Sequence, residues 1–257
     1  MTRQPAQSDD CGVLSAAQLR IIGQFWADFL GCNEQQLSQP GFHVVPHGNL
    51  AGYTGLWAFR VNNSCVISVP EALLAAVREA AAGMECEQAC CAAGLKTLVG
   101  ADRIARVIGP CFVGYLGGQI FHPAQGSGVC RLLTNNDLEQ IEGLKLACGN
   151  DWEIGGVDAD AGQVLFGCFE AGRLVAAASY ELWGQAIAHV CVAAAPEFRR
   201  QGFAQLAAAR ATELALSRGL LPQWRTEYSN VPAMAIGRAL GFEGFASHYA
   251  VRLSKLK

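Results

Sequence analysis

The stretch Pro196-Glu197-Phe198-Arg199-Arg200-Gln201-Gly202-Phe203-Ala204 lies at the centre of residues 186–242, which decide the fold. The apolar run at residues 186–194 is compatible with a strand, and a helix that is rich in small residues follows the proline. The first N–H groups of a helix have no intrahelical partner, and its macrodipole is positive there. We therefore expect an anion at this helix start, where Gly202 has no Cβ to keep a phosphate away.

The helix is predicted over residues 203–218. Its apolar residues return on one arc at 100° per residue, whereas Thr212 is among the polar residues predicted on the other side. Gly219 supplies a C-terminal stop, and Pro222 follows it.

A strand and a second helix follow. Residues 223–227 are typical of a short strand, and Ser229-Asn230 predicts the start of a helix. This helix is predicted to end at Leu240-Gly241-Phe242, where glycine again provides the stop.

The order of these elements, with Arg199-x-x-Gly202-x-Ala204 between the strand and the first helix, resembles the GNAT acetyltransferase superfamily. The signature of that family is [Arg/Gln]-x-x-Gly-x-[Gly/Ala]. The resemblance extends from about residue 129 to residue 253, roughly half of the chain. It implies an α+β fold whose C-terminal part is a mixed sheet flanked by helices, preceded by a smaller α+β domain.

The resemblance also implies the activity: transfer of an acetyl group from acetyl-CoA to a primary amine, by direct attack in a ternary complex. The acceptor would be a small molecule or a peptide. No metal is implied. The main chain of the central strand would hold the pantetheine arm, the loop and helix start would hold the pyrophosphate, and an asparagine would contact the arm. By this carry-over the cofactor-binding residues are Val190, Cys191, Val192 and Ala194, then Arg199, Arg200, Gln201, Gly202, Phe203 and Ala204, and finally Asn230.

An alkyl ammonium, with a pKa of about 10.4, must lose a proton before it attacks a thioester. The candidate bases are Glu181, His189 and Glu227. Strand alternation puts His189 on the side of Cys191, and the sequence leaves open whether that side is a cleft or a packed face.

The family often has a tyrosine four residues before the Gly-Phe pair, and it protonates the leaving thiolate. This chain has Gly237 there. Tyr228, Tyr249 or water would replace that acid, and solvent is chemically adequate because a thiol has a pKa of only about 8.5.

Residues 1–125 are predicted to form a separate α+β domain of unassigned role, whose order of elements would suit a degenerate copy of the same fold. Residues 117–128, rich in glycine and proline, are the predicted linker to the domain at 126–257. The predicted elements of the first domain are a helix at 15–31, strands at 42–45, 54–60 and 65–69, helices at 71–82, 84–94 and 99–107, and a strand at 111–116.

The second domain is predicted to open with a strand at 129–133 and a helix capped by Thr134 and Asp137. The apolar positions of this helix are Leu138, Ile141, Leu144 and Leu146. The loop at 148–162 then carries four acids, which suit a cationic amine or simply a solvated loop. These acids, beside Trp152, are Asp151, Glu153, Asp158 and Asp160. A hairpin at 164–170 and 173–180 leads to the central strand.

The chain contains 11 cysteines, an odd number scattered over its length, which favours buried free thiols. Cys86, Cys90 and Cys91 are the densest group. A metal site usually needs a fourth ligand and paired C-x-x-C spacing, so a buried helix face is favoured and no metal site is predicted.

Composition excludes several classes of function. A formal net charge of −3, nearly balanced in both halves of 257 residues, argues against nucleic-acid binding. No apolar run reaches the length of a membrane span, and the first ten residues do not resemble a signal peptide, so a cytoplasmic protein is predicted. The sequence leaves open a homodimer. Two functions remain: an N-acetyltransferase, or a non-catalytic acyl-CoA-binding module that regulates a partner.

Overall fold

The structure, a computed structural model, describes residues 14–50, 52–117, 129–157 and 164–254. Residues 118–128 of the linker predicted at 117–128 lie outside the described residues, and so do the acids Asp158 and Asp160. The strands are β1 Gly41–Pro46, β2 Gly55–Val61, β3 Ser64–Val69, β4 Ile104–Tyr115, β5 Val129–Leu132, β6 Phe166–Glu170, β7 Arg173–Trp183, β8 Ile187–Ala194, β9 Leu221–Glu227 and β10 Glu243–Leu253. The α-helices are α1 Ala16–Leu30, α2 Glu34–Ser38, α3 Leu74–Ala80, α4 Cys86–Ala89, α5 Ala92–Val99, α6 Leu138–Cys148, α7 Asn150–Gly155, α8 Phe203–Ser217 and α9 Val231–Ala239.

The chain divides into two compact units, each made of separate segments. The first contains Tyr115–Gln223 and Ala235–Glu243, and the second contains Leu19–Gly114, Trp224–Met234 and the residues from Gly244 onward. The predicted domain boundary at 125/126 lies outside the described residues and stays a prediction. Both units combine helices with parallel and antiparallel strand pairs, so the predicted α+β class is confirmed.

In the first unit, β5, β6, β7 and β8 pair in antiparallel order, and β8 pairs in parallel with the start of β9. Helices α6 and α7 share a core cluster with β7 and β8, which includes Trp152, Ala177 and Cys191. Helix α8 packs against β6, β7 and β8. Val190 lies on the opposite face of β8 from Cys191, because side chains alternate along a strand. Val190 is also buried, so α8 covers the face opposite to α6 and α7.

The second unit has β1 parallel to β3, β3 antiparallel to β2, and β2 antiparallel to β10, which in turn neighbours β4. Its core lies between these strands and helices α3, α4 and α5, and includes Ile67, Val77 and Leu95. Nδ1 of His47 lies 2.7 Å from Ser68 Oγ and its Nε2 lies 3.1 Å from Gly55 O, so it is a half-buried hydrogen-bonded histidine.

Local signals predicted the elements around the central strand correctly. Helix α8 ends before Gly219, whose φ is +70°, and α9 is capped by Asn230. Thr212 departs from the prediction: it is fully buried, because its hydroxyl donates to the Ala208 carbonyl at 2.8 Å. Thr134 and Asp137 form the predicted capping box.

Three predictions for other segments are wrong. The helix predicted at 99–107 is absent. Gly100, at φ +83°, ends α5, and β4 begins at Ile104. The prediction failed because the spacing of the β-branched residues in this segment suits a helix and a strand alike. Part of the predicted loop at 148–162 is helix α7. On α6, Leu146 is 85% exposed, because only Ile141, Leu144 and Cys148 face the core.

The prediction of free thiols throughout is also wrong. Cys65 and Cys90 form a disulfide that joins β3 to the end of α4, 25 residues apart in sequence. Every other cysteine in the described segments is a free thiol. Within those segments, no helix has both the length and the apolar character needed to cross a bilayer.

Candidate functional site

The loop between β8 and α8 has the form that the sequence predicts for an anion site. A 3₁₀ turn at Pro196–Phe198 leads to Arg200 and Gly202, whose φ angles are +61° and +87°. Gly202 is the N-cap of α8, and no side chain caps this helix start. A Cβ built on Gly202 would meet nothing within 4 Å. The N–H groups of the first turn therefore open onto free space.

Side chains of the loop between β8 and α8 are held by hydrogen bonds and ion pairs. The Gln201 amide donates to Glu197 O at 3.2 Å, and the Glu197 carboxylate pairs with Arg173 at 2.7 Å. Arg199 pairs with Asp151 of α7 at 2.6 Å, so this predicted cofactor residue is already engaged by a carboxylate. Hydrogen bonding within the loop explains how a glutamine fits where many family members have glycine.

Arg200 differs from Arg199 in its surroundings. Its side chain is exposed and has no hydrogen bond or ion pair with the residues that the structure describes. The left-handed backbone at this position is uncommon for a residue other than glycine, asparagine or aspartate. Such a conformation beside Gly202 turns successive N–H groups toward a shared anion. Arg200 is thus the cation available next to the uncapped helix.

Strand β8 has a strand on each side. It pairs with β7 along its whole length, from Ile187 opposite Trp183 to Ala194 opposite Ala176. It pairs in parallel with β9 from Ile187 to His189. Residues 190–194 continue β8 toward the loop that leads to α8. These are the residues predicted to bind the cofactor arm.

The face of β8 that carries His189 packs against helices α6 and α7. Cys191 and Ala193, which share it, belong to the core cluster under α6 and α7, so it is the packed face. His189 itself is half-buried near the end of this face, with its ring centroid 5.1 Å from that of Trp183. Opposite it on β7, exposed Glu181 accepts a hydrogen bond from Trp183 Nε1 at 2.8 Å.

Two buried polar residues that the sequence analysis missed lie on this same face. Gln223 pairs with His189 in the register of β8 and β9, is fully buried, and donates from Nε2 to Tyr115 Oη at 2.7 Å. Its Oε1 has no hydrogen-bond partner among the described residues. The same holds for Oγ of fully buried Ser179, opposite Cys191. A polar residue inside the apolar start of β9 was the available signal for Gln223.

The remaining predicted residues belong to the second unit. Glu227 is half-buried and lies 3.5 Å from Ser229 Oγ. Tyr228 is 44% exposed, and its ring lies edge-on to that of Phe112 with the two centroids 6.0 Å apart. Tyr228 and Arg60 both line a surface cavity of ≈ 270 Å³. Asn230 accepts from Ala233 N at 3.2 Å and so caps α9.

Residues 166–251 match the family model described as GNAT acetyltransferase. No curated protein matches the chain. A solved structure described as a GNAT-family protein from Novosphingobium aromaticivorans is 22% identical, with a TM-score of 0.46, over 60% of this chain and 68% of that one. A GNAT-family acetyltransferase from Colwellia psychrerythraea is 20% identical, with a TM-score of 0.47, over 60% of this chain and 59% of that one. The aminoglycoside N-acetyltransferase AAC(6')-Iy in complex with CoA is 20% identical, with a TM-score of 0.36, over 46% of this chain and 92% of that one.

Proposed function

Because residues 166–251 carry a GNAT acetyltransferase domain, we propose that the protein transfers an acetyl group from acetyl-CoA to a primary amine of a small molecule or peptide. The observation that supports this most is the uncapped start of α8 under an open Gly202, directly after strand β8 and its loop. A diphosphate suits the first feature and an amide-bearing arm suits the second.

In this proposal the diphosphate of the cofactor accepts hydrogen bonds from the N–H groups of Gly202, Phe203 and Ala204. The Arg200 guanidinium adds a charge-assisted contact, which is stronger than a neutral hydrogen bond. Gln201 contributes its main chain only, because its side chain is bound to Glu197 O. Arg199 acts through its ion pair with Asp151, which fixes the loop against α7.

The cofactor arm would lie along residues 190–194 of β8 and bond to main-chain groups there as an added strand would. From Ala194 back to His189 the strand rises about 17 Å, at 3.3 Å per residue. An acyl group at the end of such an arm reaches the part of β8 where His189, Glu181 and Gln223 share a face.

The chemistry requires a neutral amine. Its nitrogen attacks the thioester carbon and the C–S bond breaks. The nitrogen gives one proton to water as the amide forms, and the leaving thiolate takes one proton from water. His189 or Glu181 would accept the earlier proton that the ammonium loses before the attack. Glu227 and Tyr228 stay as the alternative base and acid.

A second function is favoured by one residue. Gly237, a buried glycine of α9, stands where the family often has its tyrosine acid. A module that binds acyl-CoA without catalysis would have no need of that acid.

Calorimetry with acetyl-CoA, followed by an assay of free thiol release with a panel of amines, separates the two functions. We expect binding, release that depends on the amine, and loss of release with retained binding in His189→Gln or Glu181→Gln. Binding without release over the whole panel would favour the non-catalytic module. Absence of binding would refute both.

A further inference from the structure

Three sulfur atoms in the second unit lie together, on residues that are not part of the proposed acetyl-CoA site. Sγ of Cys65, Cys86 and Cys90 all lie within 4.8 Å of one another. Cys65 is on β3 and fully buried, whereas Cys86 and Cys90 are half-buried. The Cys90 N–H bonds to the Cys86 carbonyl, so one turn of α4 places both thiol-bearing residues on one side, toward β3.

We propose that these three cysteines form a site for one thiophilic cation, with Zn²⁺ as the representative ion, which is available when the Cys65–Cys90 disulfide is reduced. Reduction by a low-molecular-weight thiol breaks the S–S bond, gives two protein thiols and oxidises two molecules of the reductant to its disulfide. The cation then replaces the three thiol protons, which leave to solvent. A water molecule completes the coordination on the exposed side of Cys86.

The spacing of the sulfur atoms fits this ion. Zn–S bonds of about 2.3 Å in a tetrahedral site put the sulfur atoms about 3.8 Å apart. All three sulfur atoms lie within 4.8 Å of one another, so the site needs only the separation of Cys65 and Cys90 that reduction of their disulfide permits. Thiolates are also the ligands that soft and borderline cations prefer. The disulfide and the metal exclude each other, because a sulfur atom in the disulfide cannot serve as a thiolate ligand. The oxidation state of Cys65 and Cys90 therefore decides whether the site exists.

The charges around the cluster are compatible with a bound cation. Burial raises the pKa of Cys86, and the nearby Arg60 guanidinium opposes that rise while Glu87 and Glu85 add to it. Arg60 pairs with Glu87 at 3.1 Å. Three thiolates with Zn²⁺ carry one net negative charge, which the Arg60 guanidinium is close enough to offset. Protons compete with the metal, so occupancy should rise with pH.

Cys91 provides a matched control beside the cluster. Its Sγ accepts from Gly94 N and lies near Gln88 O, both at 3.3 Å, so it caps α5 and does not belong to the three-sulfur group. Serine is a good N-cap, so Cys91→Ser should keep this role. Cys130→Ser is a second control, because it removes a thiol that contacts Cys168 in the other unit.

The test uses the full chain, reduced with a phosphine and titrated with Co²⁺ without oxygen. We expect one equivalent to produce thiolate-to-cobalt charge-transfer absorption and the visible bands of a tetrahedral ion, both removed by Zn²⁺. Cys86→Ser should weaken Co²⁺ binding at least about tenfold, as loss of even an outer-sphere partner does. Cys91→Ser and Cys130→Ser should leave it unchanged, and the oxidised protein should show no such absorption.

A second measurement needs no variant. Zn²⁺ should slow alkylation of Cys65, Cys86 and Cys90 in the reduced wild-type protein, read by peptide mass spectrometry, while Cys91 keeps its rate. Absence of charge-transfer absorption in the reduced wild type would overturn the proposal. An equal loss in Cys91→Ser and Cys86→Ser, or no selective protection from alkylation, would overturn it too.

Discussion

Replacing Gly202 by glutamate should weaken CoA binding far more than replacing it by glutamine. Both side chains enter open space, since nothing lies within 4 Å of a Cβ at this position, and both incur the strain of φ +87°, about 1–2 kcal/mol. The two variants therefore differ only in charge. A carboxylate about 5 Å from a phosphate charge is repelled by about 0.8 kcal/mol in water and about 3.3 kcal/mol at a surface dielectric of about 20.

These energies correspond to a loss of affinity between about 4-fold and about 250-fold for Gly202→Glu relative to Gly202→Gln. Calorimetric titration with CoA measures the difference, and thermal unfolding of both variants is the control for fold. Raising the ionic strength from about 0.15 M to about 1 M shortens the Debye length from about 8 Å to about 3 Å. The difference in CoA affinity between Gly202→Glu and Gly202→Gln should therefore become smaller. Equal affinities of the two variants at low salt would refute a diphosphate at this helix start.

Three further predictions concern stability and thiol chemistry. The Arg131 guanidinium pairs with Asp137 at 2.6 Å and holds the pKa of this carboxyl well below its usual range. The stability that the ionised carboxyl adds to the fold is therefore present above the ordinary pKa of about 3.9. It is lost as the pH falls through the lower pKa of the folded state. Asp137→Asn should therefore flatten the fall in melting temperature below about pH 4. Arg199→Gln breaks an exposed ion pair and should change the free energy of unfolding in urea by less than about 1 kcal/mol. Iodoacetamide at neutral pH should modify Cys130 before Cys111, because a hydrogen bond from Cys168 lowers the pKa of the Cys130 thiol while burial raises that of Cys111 to about 11.

Each of these predictions has a contrary result. An unchanged pH profile in Asp137→Asn would mean that other carboxyls dominate acid unfolding. A loss of several kcal/mol in Arg199→Gln would show that the ion pair fixes the loop more strongly than its exposure implies. Faster labelling of Cys111, followed by peptide mapping, would contradict the assigned thiol environments, and Cys130→Ser is the control for peptide assignment.

The elements around β8 were predictable because their signals are local. Pro196, Gly219 and Asn230 mark ends and starts, and apolar periodicity marks the helix between them. The uncapped helix start after the loop follows from Gly202 in the same way. By contrast, residues 99–107 fit helix and strand equally until β10 is there to neighbour β4.

The candidate site was less predictable because it depends on distant residues. Whether the His189 face of β8 is packed is decided by α6 and α7, not by the strand itself. The Gln223 side chain meets Tyr115, 108 positions earlier. Cys65 reaches Cys90 only after β3 and α4 pack together. Residue spacing in the sequence does not predict these long-range contacts.

The side-chain amide of Asn230 divides its two ends between two tasks. Its oxygen accepts from Ala233 N at 3.2 Å, which holds the start of α9, whereas both N–H bonds of its NH₂ group remain to donate to a ligand. A carbonyl or phosphoryl oxygen suits that NH₂ group. Aspartate at this position would preserve the helix start, yet it would remove both donors and repel an anionic ligand.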